Sequence, residues 1–190
     1  TQRRMKNTLK IIADNKYLQI LCILMISLIL LSLHPPKSIR RLEKELKNAN
    51  APRALEINIY LAGYYLNDKP LKSNGYAKDA DDIADDIGAD DSQQNRLMIT
   101  FYQLGRSFQR NNSLFGNARK CYETSLKYAK KLRDLNYKKK NSYQLYQLLK
   151  NNPLFKNRAD KYYLFYKNLN EIEKLEQKNA QLDFELEEQS

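Results

Sequence analysis

The chain has 190 residues, with 33 Lys and Arg against 22 Asp and Glu, a net charge of +11, and 29% of its residues are charged. That length suits one ordinary domain, or a small domain with an anchor. Five Gly and five Pro are too few turn formers for a sandwich or barrel, and the chain has only one His and two Cys. These counts also leave little for a phosphate-cradling glycine loop, and no basis for a His/Cys zinc cluster or a disulfide framework.

Residues 1–16 form a basic flank. From Tyr17 to Pro36 no residue is charged, and eleven of the seventeen residues from 17 to 33 are Leu or Ile, among them Leu18, Leu21, Leu24, Leu28 and Leu31. At about −0.3 to −0.6 kcal/mol each they offer roughly −3 to −7 kcal/mol for insertion. The stretch is long enough to cross the hydrocarbon core as a helix, and His34-Pro35-Pro36 ends it. No small-x-small pair follows, as a cleaved signal peptide would need. Residues 17–36 are therefore expected to be a transmembrane helix, making the chain a single-pass integral protein of a bacterial inner or an organellar membrane. Five basic residues precede the span and six follow within twenty residues, so charge asymmetry leaves the orientation open.

The remainder reads as all-α. Residues 37–50 form an amphipathic linker helix capped by Ser38, with Ile39, Leu42, Leu46 and Ala49 on one stripe. Asn50 and Pro52 start the next helix, through ALEINIYLAGYYL. Residues 67–75, NDKPLKSNG, are a loop by composition. Ala77, Ala80, Ala84, Ile83 and Ile87 give the next helix its apolar face, ended near Gly88. Ser92 caps a longer helix to Arg110, and NNSLFGN turns the chain into another from about Phe115 to Leu135. No run alternates with period two as a strand would.

The segment Asn111–Asn117, NNSLFGN, returns forty residues later as NNPLFKN at Asn151–Asn157, and Tyr122 returns as Tyr162. A period of that size with two helices per unit implies stacked helical hairpins, each too small to bury its apolar face alone. The middle unit resembles the tetratricopeptide repeat. Phe101, Leu104, Gly105 and Phe108 have the spacing of that family's first helix, and Ala118, Tyr122 and Ser125 that of its second, with one extra residue in the turn. Gly105 and Ala118 are then the points of close helix approach. An earlier unit, with Ile59, Ala62, Gly63 and Leu66 followed by Ala80, Ala84 and Ile87, fits with a longer turn. A third carries Leu145 in place of the glycine and Arg158 at a small position. The resemblance covers residues 51–170 and implies a helical superhelix that binds peptides or proteins, usually without catalysis.

Charge is segregated. Lys and Arg outnumber Asp and Glu by 16 to 3 over residues 101–170, whereas acidic residues lead by 8 to 4 over 61–100 and by 7 to 2 over 171–190. The basic region also holds nine of fourteen tyrosines. Lys138, Lys139, Lys140, Tyr143 and Tyr146 are candidates for contact with an acidic peptide or anionic lipid. No RNA-recognition motif accompanies them, so nucleic acid ranks below a protein or lipid partner. Residues 171–190 read as an acidic, coiled-coil-like extension. Phe165, Ile172, Leu175, Leu182 and Leu186 fall on heptad a and d positions and Asn179 on an a position, suited to a partner helix.

Catalytic groups do not assemble. Asp81, Asp82 and Asp85 form DDxxD, the magnesium-diphosphate spacing of all-α prenyl synthases, but no second aspartate motif faces it; an exposed acidic face is the plainer reading. His34 has no partner, Cys22 lies in the apolar span and Cys121 in a packing helix. The expectation is a non-enzymatic protein without cofactor or metal. It is read as a membrane-anchored scaffold or adaptor holding other protein subunits of a membrane-associated complex. A basic membrane tether for RNA or ribosomes is the alternative, and a magnesium-dependent diphosphate enzyme the remote one.

Overall fold

The computed structural model describes residues 36–188, which are helical throughout apart from short turns, with no strand among them. Seven α-helices follow one another: α1 (Lys37–Glu45), α2 (Ala51–Tyr65), α3 (Pro70–Ile87), α4 (Asp91–Gln109), α5 (Phe115–Lys131), α6 (Leu135–Leu149) and α7 (Lys156–Glu188). The apolar stretch 17–33 lies outside the described residues. Among those described, no helix is long and apolar enough to cross a membrane. Among the described residues α1 belongs to one compact unit and the residues from Leu46 onward form another. In the first, α1 starts one residue before the expected cap: the Ile39 and Arg40 amides donate to the Pro36 carbonyl, so Ser38 lies inside the first turn.

In the second unit α2 pairs with α3, α4 with α5 and α6 with α7, and each pair packs on the next. The helix ends follow from local chemistry. Asn50 accepts from the Arg53 amide at 3.1 Å and Pro52 sits in the first turn of α2, as expected. At α4 the cap is Asp90 rather than Ser92. Its carboxylate accepts from the Gln93 amide at 2.8 Å while the Gln93 side chain accepts from the Asp90 amide at 3.1 Å, a reciprocal box that Ser92 has no partner to build. Gly88 ends α3 with φ +77°, and Arg133 takes the same left-handed role after α5 at φ 57°. The loop expected at 67–75 is only half a loop. Pro70 opens α3, because a proline whose missing N–H costs nothing in a first turn starts a helix as readily as it breaks one. The turn of the first pair is consequently short, and Ser73, buried one turn into α3, donates to the Ala62 carbonyl of α2 at 2.6 Å.

One apolar core runs through the first two pairs: Leu55, Ile59 and Ala62 of α2, Ala77, Ala80 and Ala84 of α3, Leu97, Met98, Phe101, Leu104 and Phe108 of α4, and Ala118, Cys121, Tyr128 and Ala129 of α5. A second cluster of Tyr122, Leu126 and Leu145, with Tyr162 and Phe165 against it, joins the second pair to the third. Between these pairs a buried polar chain continues the seam. Asn141 Nδ2 donates to Ser125 Oγ at 2.9 Å, and Ser125 Oγ donates to the Met98 carbonyl at 2.8 Å.

Gly105 does admit a neighbour. A Cβ there would lie 2.7 Å from Cδ1 and Cε1 of Tyr122. Gly63 does not: it is exposed, with nothing within 4 Å of the position its Cβ would take. The close approach in the first pair is carried instead by Ala62, Ser73 and Ala77, all fully buried.

The repeat is also offset by one residue from its sequence alignment. Asn111 and Asn152, 41 apart, each accept an amide two residues on (3.1 and 3.0 Å), and each opens a 3-10 turn leading into a helix. Leu104 with Leu145, Phe108 with Leu149, and Ala118 with Ala159 are buried pairs at that same spacing. The small residue of the third pair is therefore Ala159 and not Arg158, Leu145 matches Leu104 rather than Gly105, and Tyr163 rather than Tyr162 matches Tyr122. Where Gly105 meets Tyr122, the third pair has Tyr146 against Tyr163, ring centroids 4.8 Å apart. Phe115 and Phe155, matched in the repeated string but one residue out of this register, meet across the two turns with ring centroids 5.9 Å apart.

Candidate functional site

The basic, tyrosine-rich region divides over several faces once folded, because consecutive helical residues diverge by about 100°. On α6, Lys139 pairs with Glu173 of α7, and Lys140 lies over the Tyr137 ring, 4.9 Å from its centroid. Tyr143 meets Tyr166 at 5.3 Å and Tyr146 meets Tyr163, so the α6–α7 seam is a ladder of tyrosine pairs. Lys150 lies over Tyr146 and Lys167 over Tyr163. Tyr143 and Tyr163 keep an exposed edge, 40% and 42%. Lys138, half-buried, stands on the same helix off this ladder. Most of the tyrosine surface is thus spent holding helices together, and the lysine charge is what the seam presents outward.

The heptad residues of α7 stand apart from this seam. Among the described side chains of the helix Leu169 is the last buried one, and beyond it Ile172, Leu175, Leu182 and Phe184 are 45–61% exposed. Asn179 is also exposed, and the helix runs through the expected 170/171 boundary without a break.

The acidic run lies on α3 and is partly engaged. Asp81 accepts from the Tyr128 hydroxyl at 2.6 Å, while Lys127 lies 2.6 Å from Asp85 and 3.5 Å from Asp81. Burial works to lower the Lys127 amine, but the Asp85 hydrogen bond and the two carboxylates hold it above its ordinary value. Burial, then the Asp81 hydrogen bond, push the Tyr128 hydroxyl up. Asp81 and Asp85 therefore tie the first pair of helices to the second, while Asp82 and Asp86 stay exposed. Among the described residues no group of His, Cys, Asp and Glu is disposed to hold a metal ion. Cys121 is buried against Asn74 Oδ1 at 3.4 Å, and burial pushes its thiol up to about 12. It is a protonated packing residue at neutral pH.

The fold assembles another surface that sequence reasoning missed. Along the seam of α2 and α4 lies an open groove of about 380 Å³ lined by Ile59, Tyr60, Gly63, Tyr64, Arg96, Ile99 and Thr100. Tyr60 is 52% and Tyr64 39% exposed. Its floor is open at Gly63 because that glycine has no Cβ to fill it. Further along the same helices a polar cleft of about 340 Å³ is lined by Leu66, Asn67, Gln103, Arg106, Ser107 and Arg110. Glu56 anchors one end, accepting from Gln93 Nε2 at 2.8 Å and pairing with Arg96 at 2.7 Å. The Gln93 hydrogen bond, then Arg96, hold its carboxyl below the ordinary range. At the other end Arg106 and Arg110 are exposed, and no described acidic side chain pairs with them. The signal for this surface was present: Arg96, Ile99, Gln103, Arg106 and Arg110 recur at three- and four-residue spacing, opposite the core stripe of α4. What faces them from α2 could not be read locally.

These surfaces can bind, through aromatic edges and fixed positive charge. Neither shows a nucleophile or an acid–base pair of the kind chemistry requires. No protein family, curated protein or solved structure matches this chain.

Proposed function

We propose that this chain is a non-catalytic scaffold or adaptor subunit, anchored in a membrane by residues 17–36, whose helical hairpins hold other proteins of a multi-subunit complex. The hairpins are of tetratricopeptide type in this reading. One observation carries it: three helix pairs pack in succession, each on its neighbours, and leave long helix faces bearing exposed aromatic and charged side chains. A succession of this kind offers extended binding surface without enclosing a reaction site. The uncharged Leu/Ile-rich stretch 17–33 supports the anchor.

The test is purification of the tagged full chain in detergent, with identification of what accompanies it. Protein subunits retained in moderate salt support the scaffold. Recovery of RNA alone, lost as salt rises, would replace it with the tether reading. Leu24→Arg places a charge mid-span at a cost of about 2.5–3.5 kcal/mol. The variant should be released by carbonate wash, and its retention at the parent level would refute the anchor.

A further inference from the structure

We propose that the α2–α4 groove receives the acidic C-terminal segment, residues 179–190, of a second copy of this chain. The apolar groove lined by Tyr60, Tyr64 and Ile99 is followed along α4 by the polar cleft, where Arg106 and Arg110 stand exposed beside Gln103, and the two together form the receiving surface. From Arg96 to Arg110 this face of α4 is about 21 Å long at 1.5 Å per residue. Residues 179–190 hold four acidic residues and no basic one, interleaved with Leu182, Phe184 and Leu186. As a helix the segment is about 17 Å long, so it fits the face from end to end. Its chemistry is the complement of the groove: apolar side chains for the tyrosine end, carboxylates for the arginines.

The segment also has a reason to seek an occupant's place elsewhere. Leu182 and Phe184 are 47% and 60% exposed and have nothing to pack on. Helix α7 runs unbroken from Lys156 to Glu188, and the last buried residue among its described side chains is Leu169. Phe184 is thereby carried about 22 Å along a straight axis past that residue, and a continuous helix cannot bend back into the groove of its own chain. Parallel pairing of two α7 helices would set Glu171 of one against Glu176 of the other, which repel. A groove in another copy meets neither objection. Because the groove and the segment are different surfaces, the contact is head-to-tail and propagates from copy to copy unless a ring closes. Nothing in it requires the membrane anchor or the scaffold reading.

The experiment uses the full chain in mild detergent and a fluorescent synthetic peptide of residues 176–190. Saturable binding is expected at low salt, weakened about tenfold or more between about 50 and about 500 mM salt. Arg106→Glu with Arg110→Glu should reduce binding at least about tenfold, and a peptide carrying Asp183→Lys and Glu185→Lys should restore it. Both arginines are exposed, so the fold should survive. If the double variant melts early, Gly63→Phe, which fills the groove floor, serves instead. In sedimentation the full chain should exceed monomer mass as its concentration rises, and the arginine variant should not. Absence of peptide binding at low salt, or equal binding by the variants, overturns the proposal. Peptide binding by a chain that stays monomeric at every concentration overturns the second-copy assignment and leaves a groove for a different acidic protein.

Discussion

The contact between Gly105 and Tyr122 sets two substitutions of identical chemistry against each other. Tyr122 is wholly buried, its hydroxyl donates to Gln109 Oε1 at 2.6 Å, and its ring lies 5.9 Å from that of Tyr102. The ring is held and cannot swing aside freely. In Gly105→Ala the new Cβ would sit 2.7 Å from two ring carbons, about 1 Å inside ordinary carbon–carbon contact. Overpacking of this kind costs about 1–3 kcal/mol, and the better helix propensity of Ala returns about 1 kcal/mol. The net is a destabilisation of up to about 2 kcal/mol, or several degrees in melting temperature for a chain of this size. Gly63→Ala meets nothing within 4 Å and should stabilise by about 0.5–1 kcal/mol. Replacing Tyr122 by Leu removes the ring, and in that background Gly105→Ala should turn stabilising. Urea unfolding followed by circular dichroism, on the full chain in mild detergent, measures all three. Equal effects of Ala at 105 and 63, or no change of sign when the ring is gone, would refute the close approach. Truncating Gln109 should itself destabilise, because it leaves the buried Tyr122 hydroxyl without its acceptor.

Three more outcomes are expected. Glu56 is held below the ordinary value of 4.5 by the Gln93 hydrogen bond and then Arg96. Its contribution to stability is therefore full above 4.5 and lost as pH falls through the lowered folded value. Urea midpoints of Glu56→Gln should fall less steeply with acid than those of the parent, and parallel curves would contradict this. With Cys22 replaced by Ser, Cys121, whose thiol burial pushes up to about 12, should resist maleimide at neutral pH until urea unfolds the chain; prompt labelling of the folded protein would place it at the surface. Arg133 carries φ 57° after α5, so Arg133→Gly should stabilise by about 0.5–1 kcal/mol, and a lower urea midpoint would refute that reading of the turn.

Much of the fold was legible because its signals are local. The Asn50 cap, the Gly88 stop and the apolar stripes of α2 to α5 depend on residues within a turn or two of one another. Where local reading failed, two local signals competed. Pro70 in a polar stretch read as a loop although it opens α3, and Ser92 read as the cap although Asp90 has the reciprocal partner Gln93. The candidate partner-binding residues were legible as composition but not as a surface. Lys138, Lys139 and Lys140 diverge around α6, and Tyr143 and Tyr146 face α7 as much as solvent.

The sequence by itself determined that the described chain is helical, that its helices come in repeated pairs, and that Gly105 admits a bulky neighbour. Each of these is a matter of periodicity, of a repeated string, or of a residue type with one steric meaning. Tertiary structure alone decided the packing register, in which Ala159 rather than Arg158 takes the small position and Tyr146–Tyr163 stands where Gly105–Tyr122 does. It alone decided that the solvent stripe of α4 faces Tyr60, Gly63 and Tyr64 of α2 across an apolar groove, with a polar cleft bearing Arg106 and Arg110 further along. The physical reason is common to both. Helix periodicity says which side of a helix is buried, but how far two helices slide along each other is set by the side chains that interlock between them, many residues apart in the chain.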